Sequence, residues 1–306
     1  MTAQAPLRPG AIAVLWESVR PRSLTVAAVS SVLGTAALVP QHGVQPALAA
    51  GSLLLAVLLQ GATNVLNDAE DALTGADDYA GSGASLAMRR RWISPRQARA
   101  IAASLFAAAA VLGLGLALAS GRPALLLLGL AALVVGWAYT APPLRLAYRP
   151  LGEAASGLAM GLGIVWGTAA AQTSSVPRSV WWSAAPLALL TAAILHANNA
   201  RDRSHDAAVG KRTLATHLSE RAVVLEFRLL LAGVAVALAL ALATGGLPPW
   251  CLGAALPAAL ALRASTHARA GLEGRDWTML LIGCVQLHLL TGLTLAAGLV
   301  LSAVHR

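Results

Sequence analysis

Charge is what this sequence has least of: Asp, Glu, Lys and Arg together make up 11% of its 306 residues, and lysine occurs once, at Lys211. Aromatic residues are scarce as well, at 4%. Against these stand a hydrophobic content of 57% and a mean hydropathy of +0.68. A soluble domain of this length cannot hide so much apolar surface, so the composition excludes one and points to an integral membrane protein. The two cysteines, Cys251 and Cys284, both lie in apolar runs, which excludes a disulfide framework and casts them as small buried hydrophobes. Cys/His metal spacings, Gly-rich phosphate loops and nucleophile elbows are missing too. The formal charge of +9 does not indicate a nucleic-acid partner, because nearly all the basic residues sit in short loops where a topology rule accounts for them. No cleavable signal is expected, since an Ala/Pro-rich start leads through Arg20-Pro21-Arg22 into the first long apolar run.

What is present is a succession of apolar runs. A crossing helix takes roughly 20 residues, so the chain has room for about nine spans. The expectation is an all-α, polytopic membrane protein forming a single domain over 1–306, with spans at 23–38, 46–66, 98–118, 123–140, 151–171, 180–200, 223–243, 248–262 and 277–301. One set of loops, 40–45, 120–122, 172–178 and 244–247, holds two basic residues, Arg122 and Arg178. The alternate set holds most of the others, from Arg8, Arg20 and Arg22 through Arg89-Arg90-Arg91 to Arg275. By the positive-inside rule the second set is cytoplasmic, which places the N-terminus on the cytoplasmic side of the cell membrane, with all thirteen acids on that same side. Trp residues near predicted span ends form an aromatic belt, and Gly157, Gly161 and Gly167 allow close helix contact.

Seven of the thirteen acids, Asp68, Glu70, Asp71, Asp77, Asp78, Asp202 and Asp206, fall in two stretches that each follow an apolar run. If the helices continue, Asn64, Asp68 and Asp71 share one face, and so do Asn198, Asp202 and Asp206. Carboxylates gathered in this way repel unless cations intervene, and divalent metal is the natural neutraliser. Mg²⁺ favours a few carboxylates together with phosphate oxygens and water, so the pattern suggests a phosphorylated ligand held between the clusters through metal. The competing account is solvated loop charge. Both clusters, however, lie at helix C-termini, where the helix dipole disfavours acids.

A diphosphate also needs basic partners, for which Arg145, Arg149, Lys211 and Arg212 are the candidates; orientation alone accounts for any single arginine equally well. Among weaker candidates, Gln286 and His288 fall mid-span, where interhelical hydrogen bonding competes with function. His196 is read as supporting the site or as plain structure.

The motifs Asn64-x-x-Asn67-Asp68-x-x-Asp71 with Gly75-x-Asp77, and Asn198-Asn199-x-Arg201-Asp202-x-x-x-Asp206-x-x-x-Gly210-Lys211-Arg212-Thr213-Leu214, resemble those of the UbiA superfamily of intramembrane prenyltransferases. The similarity is greatest to the branch that prenylates 1,4-dihydroxy-2-naphthoate in menaquinone synthesis. Tyr139-Thr140-Ala141-Pro142-Pro143 and Leu151-Gly152-Glu153 are further landmarks, so the resemblance covers essentially the whole chain. It implies a ring of nine helices around a central cavity open to the cytoplasmic side and to lipid, with Mg²⁺ as cofactor and a polyprenyl diphosphate and an aromatic acceptor as partners. Asn64, Asp68, Asp71, Asn198, Asp202 and Asp206 would hold the metal, with the four aspartates catalytic. Arg145, Lys211, Arg212, Asn67, Asp77 and Tyr139 would contact substrate. Ala207 and Asp78, where the family usually carries basic residues, leave the acceptor open among dihydroxynaphthoate, 4-hydroxybenzoate, homogentisate and a glycerol phosphate lipid. A transporter passing cations along its acids is the reading from a different class.

Overall fold

The computed structural model describes residues 9–77 and 83–305, and among them the regular structure is helical throughout, with no strand. Arg8, Asp78, Gly81 and Ser82 lie outside the described residues. The main helices are α1 (Leu24–Ala36), α2 (Pro46–Thr74), α3 (Pro95–Ser120), α4 (Ala124–Ala138), α5 (Gly152–Gln172), α6 (Arg178–Ala208), α7 (Glu220–Ala243), α8 (Ala255–His267) and α9 (Gly274–Val304). Short helices at Ala11–Ser18, Leu86–Arg89 and Leu214–His217 join them. Six of these helices, α2, α3, α5, α6, α7 and α9, are long and apolar enough to cross a membrane, and α1 and α4 are shorter apolar helices of 13 and 15 residues. The chain is thus a multi-pass membrane protein. Leu127, Val111 and Leu118, all at least 70% exposed, face outward, as residues do where lipid rather than protein covers them.

Local sequence explains where the helices begin and end. Pro46 opens α2, and Gly75 closes it with φ of 78°, in the left-handed region that glycine tolerates. Ser94 and Gln97 form a capping box ahead of α3, and Ser219 caps α7. The structure departs from the sequence expectation in length. α2 runs past 66 to Thr74 and α6 runs past 200 to Ala208, so each helix keeps its backbone bonds through its Asn/Asp cluster. The span expected at 248–262 is broken instead: Pro249–Ala254 is 3₁₀ and the α-helix starts at Ala255. Two prolines at its start, Pro248 and Pro249, lack the N–H groups a regular first turn would use.

Each main helix touches the next along the chain, and α9 returns to pack on α1, so the helices close into a ring. α5 also packs on α1 and α2, and α6 on α9, which fills one side of that ring and leaves space on the other. The tightest approach is between α5 and α6. There α5 widens into a π-helix over Gly157–Gly163, and a Cβ on Gly161 would lie 2.3 Å from Ala188 Cα. At the end away from the acids, Gln45 Nε2 donates to Gln172 O at 2.6 Å, Gln172 Nε2 donates to Thr35 Oγ1 at 3.0 Å, and Arg122 Nη1 donates to Ala171 O at 2.6 Å. These bonds tie α1, α5 and the loops before α2 and α4 together, closing that end of the bundle.

Because only backbone can yield at Gly161, Gly161→Val is expected to lower stability by about 1–3 kcal/mol, seen as an earlier thermal transition in detergent. Gly115→Ala, where a Cβ meets nothing within 4 Å, is expected to leave that transition in place.

Candidate active site

The extended ends of α2 and α6 bring the two acidic clusters together. On α2, Asp68 and Asp71 are buried, 1% and 5% exposed; on α6, Asp206 is 1% exposed. Lys211 spans the gap, its Nζ lying 3.7 Å from Asp71 Oδ2 and 3.6 Å from Asp206 Oδ1. The ring of His205 bonds Gly75 O through Nε2 at 2.9 Å, a second tie between the helix ends.

Every carboxylate in this assembly has a specific setting. Asp71 accepts from Tyr148 OH at 2.5 Å and from Asn67 Nδ2 at 3.1 Å, and Tyr148 is itself bonded to Thr74 Oγ1 at 2.8 Å. Asp68 pairs with Arg20 and accepts the Ser85 backbone N–H at 3.0 Å. Arg201 donates to both oxygens of Asp202, at 2.5 and 2.6 Å, and to Asn198 Oδ1 at 2.9 Å. Asn64 donates to Val19 O at 2.9 Å and Ser23 Oγ at 2.8 Å, which fixes the segment carrying Arg20 against α2. Arg20 itself has φ of 55°, a left-handed conformation that a side chain of its size adopts only where its surroundings enforce it.

Electrostatics outside the helices follows from this crowding. Burial, reinforced by Asp71, pushes the Asp77 carboxyl up to about 7. Burial alone would lower Lys211, yet Asp71 and Asp206 hold its ammonium above the usual lysine value. Tyr148 is raised by burial and by Asp71 at its hydroxyl. Among the described residues no three Asp, Glu, His or Cys side chains already converge at metal-ligating distance. The donor set nevertheless suits a hard divalent cation, because Asp206 Oδ2 and Asp77 Oδ2 are buried with no hydrogen-bond partner among the described residues, and oxygens of that kind are what such an ion takes.

The carboxylates open into a cavity of about 1420 Å³. Asn64, Asn67, Asp71, Asp77, Asp202 and Asp206 face its polar end, joined by Arg20 and Lys211. Beyond Tyr139 the wall becomes aliphatic, with Leu55, Leu59, Leu125, Leu128 and Leu158. A chain of methylene and methyl groups suits that half, and a strongly anionic head suits the other.

Not every residue singled out from sequence arrives here. Arg145 does not line the cavity: its guanidinium sits 3.6 Å from Glu70 and over the Tyr148 ring, with Arg99 on the other Glu70 oxygen. Glu70 therefore faces α3 and away from its neighbouring acids. Arg212 is exposed and contributes its backbone N–H, which donates to Tyr148 O at 3.2 Å. Asp68 sits behind the wall against Arg20. Gln286 is exposed, and His288 is buried with Nε2 lacking a partner among the described residues. Sequence reasoning gave no site role to Tyr148, Arg20 or Arg201. Tyr148 has no motif to mark it, Arg20 carries the basic signal that topology explains, and Arg201, although inside the second motif, carries that same signal.

Comparison with known proteins agrees with this architecture. The model of the UbiA prenyltransferase family matches residues 27–290. A Bacillus subtilis protein named 1,4-dihydroxy-2-naphthoate octaprenyltransferase is 32% identical over 249 residues, 80% of this chain and 79% of its own. A Mycobacterium tuberculosis protein of the same name is 34% identical, over 84% of this chain and 86% of its own. Among solved structures, an apo UbiA homolog from Aeropyrum pernix superposes with a TM-score of 0.68 at 18% identity, covering 90% of this chain and 97% of that one. An Archaeoglobus fulgidus UbiA homolog bound to DMAPP and Mg²⁺ superposes with a TM-score of 0.64 at 13% identity, covering 90% and 97%. At those identities the structures speak for the fold, while the family match and the sequence relatives span most of the chain: this protein belongs to the UbiA prenyltransferase family.

Proposed function

We propose that this prenyltransferase is Mg²⁺-dependent and joins the isoprenoid chain of a polyprenyl diphosphate to 1,4-dihydroxy-2-naphthoate, with loss of the ring carboxylate, in menaquinone biosynthesis. The observation that carries the reading is the meeting of Asp71 and Asp206 at one ammonium group, at the head of a cavity that is anionic at one end and aliphatic along the rest. The names of relatives matched over most of their length support the choice of acceptor.

In this reading Asn64 and Asp71 from α2 and Asn198, Asp202 and Asp206 from α6 hold Mg²⁺, joined by Asp68 once Arg20 leaves it, with Asp77 as an auxiliary ligand or base. When bound, the ion supplies Lewis-acid neutralisation of the charge that builds on the leaving diphosphate. Lys211 and Arg20, released from their carboxylates, turn to the phosphate oxygens as charge-assisted donors. Asn67 and Tyr139 flank the same head group. The diphosphate departs with the C–O electron pair, leaving an allylic cation. The ring carbon bearing the carboxylate attacks that cation, and CO₂ leaves while its bonding pair returns to the ring. Aliphatic walls keep water from the cation until it is captured. The whole chain acts as one membrane unit, its acidic end and N-terminus on the cytoplasmic face of the cell membrane, a reading that the distribution of basic loops supports.

Purified protein given labelled polyprenyl diphosphate and a panel of dihydroxynaphthoate, 4-hydroxybenzoate, homogentisate and a glycerol phosphate lipid is expected to prenylate the first and release one CO₂ per product. Chelation is expected to stop turnover and added Mg²⁺ to restore it. Preference for another acceptor, or CO₂-free product, would sink the acceptor assignment. Asp202→Ala is expected to cut turnover by at least about 10²–10³-fold while the protein still inserts and elutes as wild type; near wild-type activity would count against the site. Lys211→Met is expected to raise the KM for the prenyl diphosphate by about tenfold, as loss of a hydrogen bond to a charged group does, leave that for the acceptor unchanged, and be largely rescued in Lys211→Arg.

A further inference from the structure

Beside the diphosphate machinery lies a buried polar chain that this mechanism does not use. Asn199, on the cavity wall and 3% exposed, donates from Nδ2 to Glu153 Oε1 at 2.8 Å. Glu153 stands at the start of α5, next to Gly152, where a Cβ would meet Leu195 of α6 at 3.4 Å. The same Glu153 oxygen is 3.8 Å from His196 Nδ1, and Glu226 Oε2 of α7 approaches that nitrogen to 3.4 Å. His196 is fully buried, with Nε2 on Val223 O at 2.9 Å and its ring stacked on Phe227 and edge-on to Trp277. Glu153 Oε2, His196 Nδ1 and Glu226 Oε2 are all buried without a hydrogen-bond partner among the described residues. Ionisable groups held so deep among apolar helices are costly, and a packed aliphatic set would serve stability at least as well.

What the chain accomplishes is orientation. A carboxylate only accepts, so Glu153 forces the Asn199 amide to turn its NH₂ group toward α5 and leaves Oδ1 as the end available to the cavity. That oxygen sits three residues before Asp202 on α6, about 4.5 Å nearer the aliphatic interior along the helix axis. An acceptor there is useless to a phosphate, which also accepts. It matches a hydroxyl.

We propose that Asn199 Oδ1 binds a hydroxyl of the aromatic acceptor, and that Glu153, backed by His196 and Glu226, is the positioning residue that keeps the amide turned for it. The inference rests on the reading of this chain as a hydroxyarene prenyltransferase and adds the residue that selects the hydroxyl. An O–H donated to a fixed carbonyl pushes electron density into the ring and would hold that ring about 4.5 Å, along the helix axis, from the level of Asp202, between the anionic head and the aliphatic walls.

The test is steady-state kinetics on the detergent-solubilised protein with 1,4-dihydroxy-2-naphthoate and its two monomethyl ethers. Wild type is expected to lose tenfold or more in kcat/KM with one of the ethers, and Asn199→Leu to lose that discrimination, with the KM for the dihydroxy acceptor raised about tenfold and that for the prenyl diphosphate within twofold. Glu153→Asp, still a pure acceptor, is expected to keep the preference. Glu153→Gln, the same size but able to donate and so to let the amide flip, is expected to blunt it without shifting the melting transition. Full discrimination in Asn199→Leu or Glu153→Gln, or a raised prenyl diphosphate KM in their place, would overturn the inference. Wild-type protein that prenylates hydroxyarenes with equal ease whichever hydroxyl is methylated would overturn it alone, whereas a protein that uses no hydroxyarene at all would take the proposed function down as well.

Discussion

Lys211 stands between a carboxylate of α2 and a carboxylate of α6, and the rest of the molecule is arranged so that this can happen. Two unit charges about 4 Å apart attract by about 4 kcal/mol at the effective dielectric near a protein surface. Much of that is offset by stripping water from groups as buried as Asp71, Asp206 and Lys211. The net gain in stability is therefore small, and the arrangement makes sense as a poised site. The carboxylates there are held close together by cations of the protein, Arg20 on Asp68 and Lys211 between Asp71 and Asp206.

Placing charge there requires helices that outlast their apolar segments. α2 and α6 each carry apolar residues for most of their length and then an Asn/Asp cluster in their last turns. Continuing helix satisfies the backbone, so only side chains need partners, and those come from the connecting segments: Arg20 before α1, Ser85 before the short helix Leu86–Arg89, Tyr148 between α4 and α5, and Lys211 after α6. The loops thus do more than connect. The lipid-facing exterior asks little of them, which leaves their polar residues to converge on the site.

Close packing elsewhere makes room for the cavity. The glycine-lined contact of α5 with α6, widened by π-helical turns, draws these two helices together and fixes Gly152 and Glu153 beside Leu195 and Asn199. On the opposite side α3 and α4 lean on α2 and leave the aliphatic hollow between. The cavity wall therefore also carries the Asn199 amide, bonded to Glu153, on the same helix as Asp202 and Asp206.

Much of this was legible in the amino acids themselves. Hydropathy over 306 residues dictates a multi-pass helical membrane protein, because apolar runs of this length satisfy their polar backbone groups within the bilayer by forming helices. The spacing of Asn64, Asp68 and Asp71 and of Asn198, Asp202 and Asp206 dictates one shared face per cluster, because helical period is local. Other matters were settled only by the tertiary structure. The meeting of Asp71 with Asp206, the pairing of Arg145 with Glu70 away from the cavity, and the recruitment of Tyr148 and Arg20 depend on contacts between segments far apart in the chain. An arginine reads the same in sequence whether it orients a loop, neutralises a distant glutamate or faces a substrate, and which of these it does is decided by the neighbours that folding gives it.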